Sequence, residues 1–200
     1  MMNQTDEELM ELCRGGDVGA FRELVVRYQD RLMAFIYSIV RDYHRAEDIF
    51  QETFIRVYRQ ARQFQSGRSF KTWLYAIARN RCRDELRSAK RQPTLELEAG
   101  LDRSEEEKGT RWIDTVEAGG PSPRELAGGR ELEKMFLEAL AGLSEEHREV
   151  VVMSRLLGLK YDEIAEVLGI PSGTVRSRLH YALEYLRRKM LKNEEILPWL

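Results

Sequence analysis

Between Pro93 and Glu131 the chain loses the helical apolar period that organises the residues on either side. The segment holds Glu105, Glu106 and Glu107 in a row, the run Gly119-Gly120-Pro121-Ser122-Pro123, and Gly128-Gly129. Trp112, Ile113 and Val116 give it one apolar spot. Such a composition buries too little apolar surface to offset the entropy of ordering the chain, so it reads as a flexible acidic linker. A linker of that length in a 200-residue chain excludes one continuous core. It leaves two small domains, 1–92 and 132–192, with 93–131 between them and a tail at 193–200. No internal repeat relates the two.

Charge follows the same division. The formal net charge is −2, but residues 1–19 carry −4, 20–92 carry +8, 93–133 carry −6 and 134–192 carry +2. An acidic segment therefore separates a clearly basic block from a mildly basic one, a pattern that bears on partners although the total does not.

Several classes are set aside early. The longest strongly apolar stretch, Leu32–Val40, has nine residues and includes Ser38, where a membrane span needs about 20. The N-terminus is acidic, where a signal peptide is basic and then apolar. No membrane insertion is expected, and the expected location is cytoplasmic. Cys13 and Cys82 make neither a disulfide framework nor a zinc site; Cys82, on or beside an apolar stripe, reads as a small packing residue, and redox sensing is the alternative for both cysteines. His44, His147 and His180 stand apart from them and from one another. No metal and no cofactor are expected.

Outside the linker nearly everything has helical period, and no run alternates long enough for a strand. The expected class is all-α. Thr5 and Glu8 form a capping box, and Gly15-Gly16 stops the helix that follows. Asp17 caps a helix carrying Phe21, Leu24, Val25 and Tyr28, and a long helix follows through Leu32, Phe35, Ile36 and Ile39. Another runs from Ala46 to about Ala61, with Ile49, Phe50, Phe54, Val57 and Tyr58 inward. Gln65-Ser66-Gly67 breaks the pattern, and a last helix runs from about Phe70 to Ser88. In the second domain Leu132, Phe136, Leu137, Leu140 and Leu143 precede a helix that Ser144 starts and Gly158 ends.

Residues 161–179 carry the sharpest pattern. A short helix offers Ile164, Ala165 and Leu168 to a core. Gly169 can take the left-handed conformation of a tight turn, Ile170 plugs that turn, Pro171 stops the first helix, and Ser172 can cap the next. The second helix has an apolar stripe of Val175, Leu179, Ala182, Leu183, Leu186 and Met190. Gly173, Thr174, Ser177, Tyr181, Glu184 and Arg188 point away from it, with Arg176 and Arg178 on its flanks. Residues 172–192 hold six bases and one acid. A helix-turn-helix whose second helix is basic and outward at its start is the shape that enters a major groove. There arginine can read guanine through two bonds, and Ser and Thr can reach bases or phosphates.

Residues 67–91 hold eight bases against Asp84 and Glu85, interleaved with Phe70, Trp73 and Tyr75 and preceded by Phe64. Cations track a phosphate backbone and exposed aromatic faces can stack unpaired bases. Periodicity favours Phe70 and Trp73 as core. The loop Gln65-Ser66-Gly67-Arg68-Ser69 can approach a strand closely and hold an extruded base. Just before it, Glu47, Asp48, Gln51, Glu52 and Arg56 lie on the polar side of an amphipathic helix, either solvated or a docking surface for a partner helix.

The order of these pieces carries a resemblance. Ala46-Glu-Asp-Ile-Phe-Gln-Glu-Thr-Phe, then Phe70-Lys-Thr-Trp-Leu-Tyr-Ala-Ile-Ala-Arg-Asn, a linker, Leu143-Ser-Glu-Glu-His-Arg-Glu-Val, and Tyr161-Asp-Glu-Ile-Ala through Gly173-Thr-Val-Arg-Ser-Arg-Leu resemble an extracytoplasmic-function sigma factor of bacterial RNA polymerase, in the sigma-70 family. The resemblance spans about 160 residues in two blocks. It implies a region 2-like first domain, a region 4-like helix-turn-helix domain, and no catalysis. It implies that Asp48, Gln51 and Glu52 dock on the β′ clamp coiled coil of core RNA polymerase. Phe64, Ser66, Arg68, Lys71, Asn80, Arg83 and Arg87 would recognise and melt the −10 element. Ser172, Gly173, Thr174, Arg176, Ser177, Arg178 and Tyr181 would read the −35 duplex of promoter DNA, with that domain also on the β flap. An anti-sigma factor is the further implied partner.

Two other readings compete. A nucleic-acid enzyme would need a metal-binding carboxylate pair, a P-loop or a triad. Asp48 and Glu52 four residues apart on a helix are commonplace, and nothing resembles the other two. A helix-turn-helix regulator that acts without polymerase would leave the 46–58 helix and the basic 67–91 block without a role.

Overall fold

The computed structural model describes residues 4–65, 67–91 and 138–190, without the side chains of Lys90, Arg91 and Met190. The expected linker and tail, Ser66, and the apolar residues Leu132, Phe136 and Leu137 lie outside the described residues. The chain divides into two compact units, Met1–Gly109 and Thr110–Leu200. Among the described residues the secondary structure is helical throughout, as the periodicity predicts.

The first unit is built from α1 (Asp6–Arg14), α2 (Val18–Val40), α3 (Tyr43–Gln60), a 3-10 turn (Ala61–Gln63) and α4 (Phe70–Arg91). Thr5 and Glu8 close the expected capping box on α1, and Asp17 accepts from the Gly19 and Ala20 amides at the start of α2. Where two helices were expected between Asp17 and Val40, one 23-residue helix runs unbroken. Gln29-Asp30-Arg31, at the expected junction, contains no Gly or Pro to end it. Arg41 then takes a left-handed conformation (φ 57°) and Asp42 caps α3 through the Arg45 amide at 2.9 Å, so α3 starts three residues earlier than periodicity alone suggests. At α4, Ser69 Oγ accepts from the Thr72 amide, while Glu7 of α1 accepts from the Phe70 amide at 3.0 Å. A cap supplied from 63 residues away ties α4 to α1.

α2 lies at the centre of this unit, packed against α1, α3 and α4, while α3 also packs on α4. Leu24, Leu32, Phe35, Ile36, Phe70 and Leu74 have no solvent exposure. Tyr75 joins them, its ring edge-on to Phe35 at 5.3 Å. The expectation of exposed, base-stacking faces at Tyr75 and Phe64 is corrected here. Phe64 is 4% exposed and lies 5.2 Å from Trp73 and 6.3 Å from Phe70. Phe64 closes the core at the turn before α4, where the 3-10 turn brings it over Phe70, and Tyr75 fills it from within α4. At the other side, Asp6 accepts from Arg27 at 3.0 Å and from the Tyr28 hydroxyl, and burial together with that carboxylate raises the Tyr28 pKa well above its ordinary range.

The second unit begins with helical residues 138–141, then α5 (Glu145–Val151) running into a π-helical turn (Val152–Leu156), α6 (Tyr161–Leu168) and α7 (Ser172–Met190). Ser144 precedes α5 as expected, but its hydroxyl pairs with His147 Nδ1 at 2.7 Å and makes no side-chain cap bond to the backbone. Arg148 donates to the carbonyls of Leu140 (3.0 Å), Ala141 (3.3 Å) and Leu143 (2.9 Å), which satisfies the end of the preceding helical turn. α5 and α6 both pack on α7.

Candidate nucleic-acid interface

The turn between α6 and α7 forms as its residues dictate. Gly169 sits at φ 65°, ψ 37°, and its amide and that of Ile170 both donate to the Ala165 carbonyl. Ile170 is half-buried under the turn. The cap differs by one residue from expectation. The Pro171 carbonyl accepts from Thr174 and Val175, so Pro171 holds the cap position and Ser172 is the first helical residue. Val175, Leu179, Ala182 and Leu186 are buried, which fixes the rotation of α7. Ile164, Val167 and Leu168 of α6 are buried too, while Ala165, expected to be inward, is half-buried.

That rotation leaves Ser172, Gly173, Arg176, Ser177 and Tyr181 exposed and Thr174 and Arg178 half-buried. Tyr181 is 62% exposed, and exposed His180 lies beside it with ring centroids 5.6 Å apart. The Ser177 hydroxyl donates to the Thr174 carbonyl at 3.0 Å, which holds it close to the helix. The Arg176 guanidinium lies over the Tyr161 ring, 5.9 Å from its centroid. Arg178 is paired with Glu146 of α5 at 2.8 Å. His180, Tyr161 and Glu146 were missed from sequence. His180 is legible as a neighbour of Tyr181 on the same face, whereas the other two come from other helices.

In the first unit Arg68, in the loop before α4, is exposed, as are Asn80 and Arg87 of α4, while Lys71 and Arg83 of α4 are half-buried. Asn80, Arg83 and Arg87 share one side of α4 by helical spacing, and Lys71 in its first turn does not. Gly67, at φ 94°, makes the turn before α4. Ser66 lies outside the described residues. Arg79 is buried, and Arg81 forms ion pairs with Glu52 and, at 3.9 Å, with Asp84. Thr72 is buried with its hydroxyl lacking a hydrogen-bond partner.

On α3, Asp48, Gln51 and Glu52 are exposed together. Ile55 and Tyr58 continue that side, each 49% exposed. Tyr58 was expected inward. Its ring meets Phe21 at 5.1 Å on one edge and faces solvent on the other. Ile55 was missed, although it follows Gln51 and Glu52 at helical spacing. Large apolar groups on an otherwise polar face suit a partner surface. Among the described residues no group of His, Cys, Asp and Glu is placed to hold a metal ion, and no helix is long and apolar enough to cross a membrane.

Two helical units, one with a helix-turn-helix and one with exposed cations on α4 and an acidic side on α3, fit a bipartite DNA-binding protein. Comparison with known proteins narrows this. Residues 24–92 match Sigma-70 region 2 and residues 133–186 match Sigma-70 region 4. The ECF RNA polymerase sigma factor SigW of Bacillus subtilis is 35% identical over 189 residues, covering 94% of this chain and 98% of that protein. The ECF RNA polymerase sigma-E factor of Escherichia coli K12 is 34% identical over 191 residues, covering 93% and 94%. By fold, the chain is similar to CnrH, solved in complex with the cytosolic domain of CnrY (TM-score 0.67, 22% identity, 94% of this chain and 99% of that one). It is also similar to the sigma factor RpoE of Bartonella quintana, solved with the anti-sigma factor NepR (TM-score 0.64, 24% identity, 88% and 99%). The chain belongs to the extracytoplasmic-function sigma factors, DNA-binding subunits that direct core RNA polymerase to promoters. Membership over both blocks displaces the reading of a regulator that acts without polymerase.

Proposed function

We propose a division of labour among the three faces. The exposed side of α7 reads the −35 element as duplex, with Arg176 at base edges and Ser172, Gly173, Thr174, Ser177, Arg178 and Tyr181 around it. The loop residue Arg68 and, on α4, Lys71, Asn80, Arg83 and Arg87 hold the −10 strand as it leaves the duplex, and Ser66 contacts the same strand. Phe64 supports that loop from within the core. Asp48, Gln51 and Glu52, extended by Ile55 and Tyr58, dock on the β′ clamp coiled coil, and the second unit also contacts the β flap. The protein has no chemistry of its own, and its work is done in the cytoplasm.

The observation that carries this reading is the fixed rotation of α7. Its apolar stripe is sealed in the core, so its DNA-facing residues have one orientation. Each face binds weakly alone. Joined by one chain, and with polymerase setting the spacing, the second contact becomes an intramolecular event at high effective concentration. Control by an anti-sigma factor is part of the proposal, supported by the fold shared with RpoE, which was solved bound to one. The test is transcription in vitro with core polymerase over a promoter library, with and without this protein. Selective RNA synthesis that depends on the protein is expected, and synthesis equal in both arms refutes the reading.

A further inference from the structure

Both arginines at the start of α7 are held by residues outside that helix, and in two different ways. We infer that Tyr161 and Glu146 are positioning residues that set what Arg176 and Arg178 do on DNA; the inference rests on the DNA-facing role proposed for α7. Tyr161 opens α6 and is 40% exposed. Arg176 lies over its ring at 5.9 Å, within the range of a cation–π attraction. Stacking occupies the flat face of a guanidinium and leaves its in-plane N–H donors free. Tyr161 therefore narrows the rotamers of a long exposed side chain without consuming the donors that read a base.

Glu146 acts in the opposite sense. It takes Arg178 Nη2 at 2.8 Å, so it occupies a donor and cancels the charge. Its own side chain is 64% exposed, against 23% for Arg178, so the pair sits at the surface, where the carboxylate competes with any phosphate for Arg178. Glu146 thus lowers the general attraction of this helix for any DNA and leaves sequence choice to Arg176. Removing the two residues has opposite consequences. Losing Tyr161 weakens binding to the preferred sequence, and losing Glu146 strengthens binding to every sequence.

The experiment uses holoenzyme assembled from the full chain and core polymerase, with a promoter library randomised in the upstream block. Tyr161→Ala is expected to lower the enrichment of the preferred upstream sequence about two- to fivefold, while Tyr161→Phe, which keeps the ring, matches the wild type. Glu146→Gln is expected to raise binding to all members and to steepen the slope of log affinity against log salt by about 0.9, the value for one added phosphate contact. Arg176→Ala and Arg178→Ala run in parallel. If neither alters upstream binding or selection, the DNA-facing role of α7 itself fails. If they do, and Tyr161→Ala behaves as Tyr161→Phe or Glu146→Gln keeps the wild-type slope, the positioning inference is overturned while that role stands.

Discussion

Two glycines four residues apart predict opposite effects of one substitution. Gly169 ends α6 at φ 65°, and Gly173 lies in the first turn of α7. A Cβ added at either meets nothing within 4 Å, so neither change causes a clash and only backbone energetics remain. At Gly169 an L side chain is forced into the left-handed region, at about 1–2 kcal/mol. Restricting the unfolded chain offsets part of that, leaving Gly169→Ala about 1 kcal/mol destabilising. At Gly173 the backbone is already helical. Gly173→Ala removes unfolded-state freedom and raises helix propensity, for about 0.4–1 kcal/mol of stabilisation. Amide hydrogen exchange on the full chain reads each unit separately, which a single melting curve would not. The slow amides of Leu179, Ala182 and Leu186 should exchange about fivefold faster in Gly169→Ala, by the conversion of 1 kcal/mol at 25 °C. They should exchange two- to fivefold slower in Gly173→Ala, by roughly the same conversion. Amides of α1 to α4 should not change in either. Gly169→Asn should fall between wild type and Ala, because Asn tolerates the left-handed region. Equal shifts of the same sign at 169 and 173 would show that the turn does not depend on a left-handed residue, and the account of how α7 is aimed would fail with it.

Asp48→Ala combined with Gln51→Ala should weaken association with core polymerase whatever DNA is present, while Arg176→Ala should spare that association and reduce upstream promoter selection. Finding only DNA defects in both, by core-binding and promoter-binding assays, contradicts the division of labour. Thr72→Val should stabilise the first unit by about 1 kcal/mol, seen as slower exchange along α4, because it replaces a buried hydroxyl without a partner by a methyl of the same shape. Arg148→Ala should destabilise the second unit by about 2 kcal/mol, since it strips three carbonyls of a charged donor. The Cys13 thiol is pushed up to about 11, first by burial and then by Asp17. Its neutral form is thus favoured by folding, and that contribution is intact below pH 9 and lost as pH rises towards 11. At pH 8 iodoacetamide should modify Cys13 in the native chain about a hundredfold more slowly than in the unfolded chain, and comparable rates would refute the shift.

Elements governed by local rules were legible from sequence. The Thr5–Glu8 box, the Asp17 cap, the Gly169 turn and the buried stripe from Val175 to Leu186 each depend on residues within one or two turns of each other, so spacing alone reveals them. Where two local signals competed, the reading slipped by small amounts. Pro171 took the cap position expected of Ser172, and Asp42 began α3 ahead of its apolar stripe. Aromatic residues were harder. Phe64 stands in a loop whose neighbours are polar, and only the fold shows that the 3-10 turn swings it over Phe70 and Trp73. Tyr75 is interleaved with cations in sequence, yet it lies on the buried side of α4 against Phe35.

The part of the candidate site that sequence hides most is the electrical part, because an ion pair between helices has no period. A count of eight bases in residues 67–91 overstates what DNA can meet. Arg79 is buried, and Arg81 is spent on Glu52 and Asp84. In α7 the same discount falls on Arg178 through Glu146. These pairs are surface or near-surface pairs, each worth at most about 1 kcal/mol to stability, so folding alone is a weak reason for them. Their larger consequence is on binding. Every cation neutralised within the chain is one fewer counterion released from DNA, and affinity for unselected DNA falls steeply with that number. What remains free, such as Arg68 and Arg87 in the first unit and Arg176 in the second, lies on the faces assigned to promoter contact. A subunit that must leave nonspecific DNA and act only when polymerase brings both faces to bear is served by low charge availability rather than high. The acidic count of residues 93–133 works in the same direction.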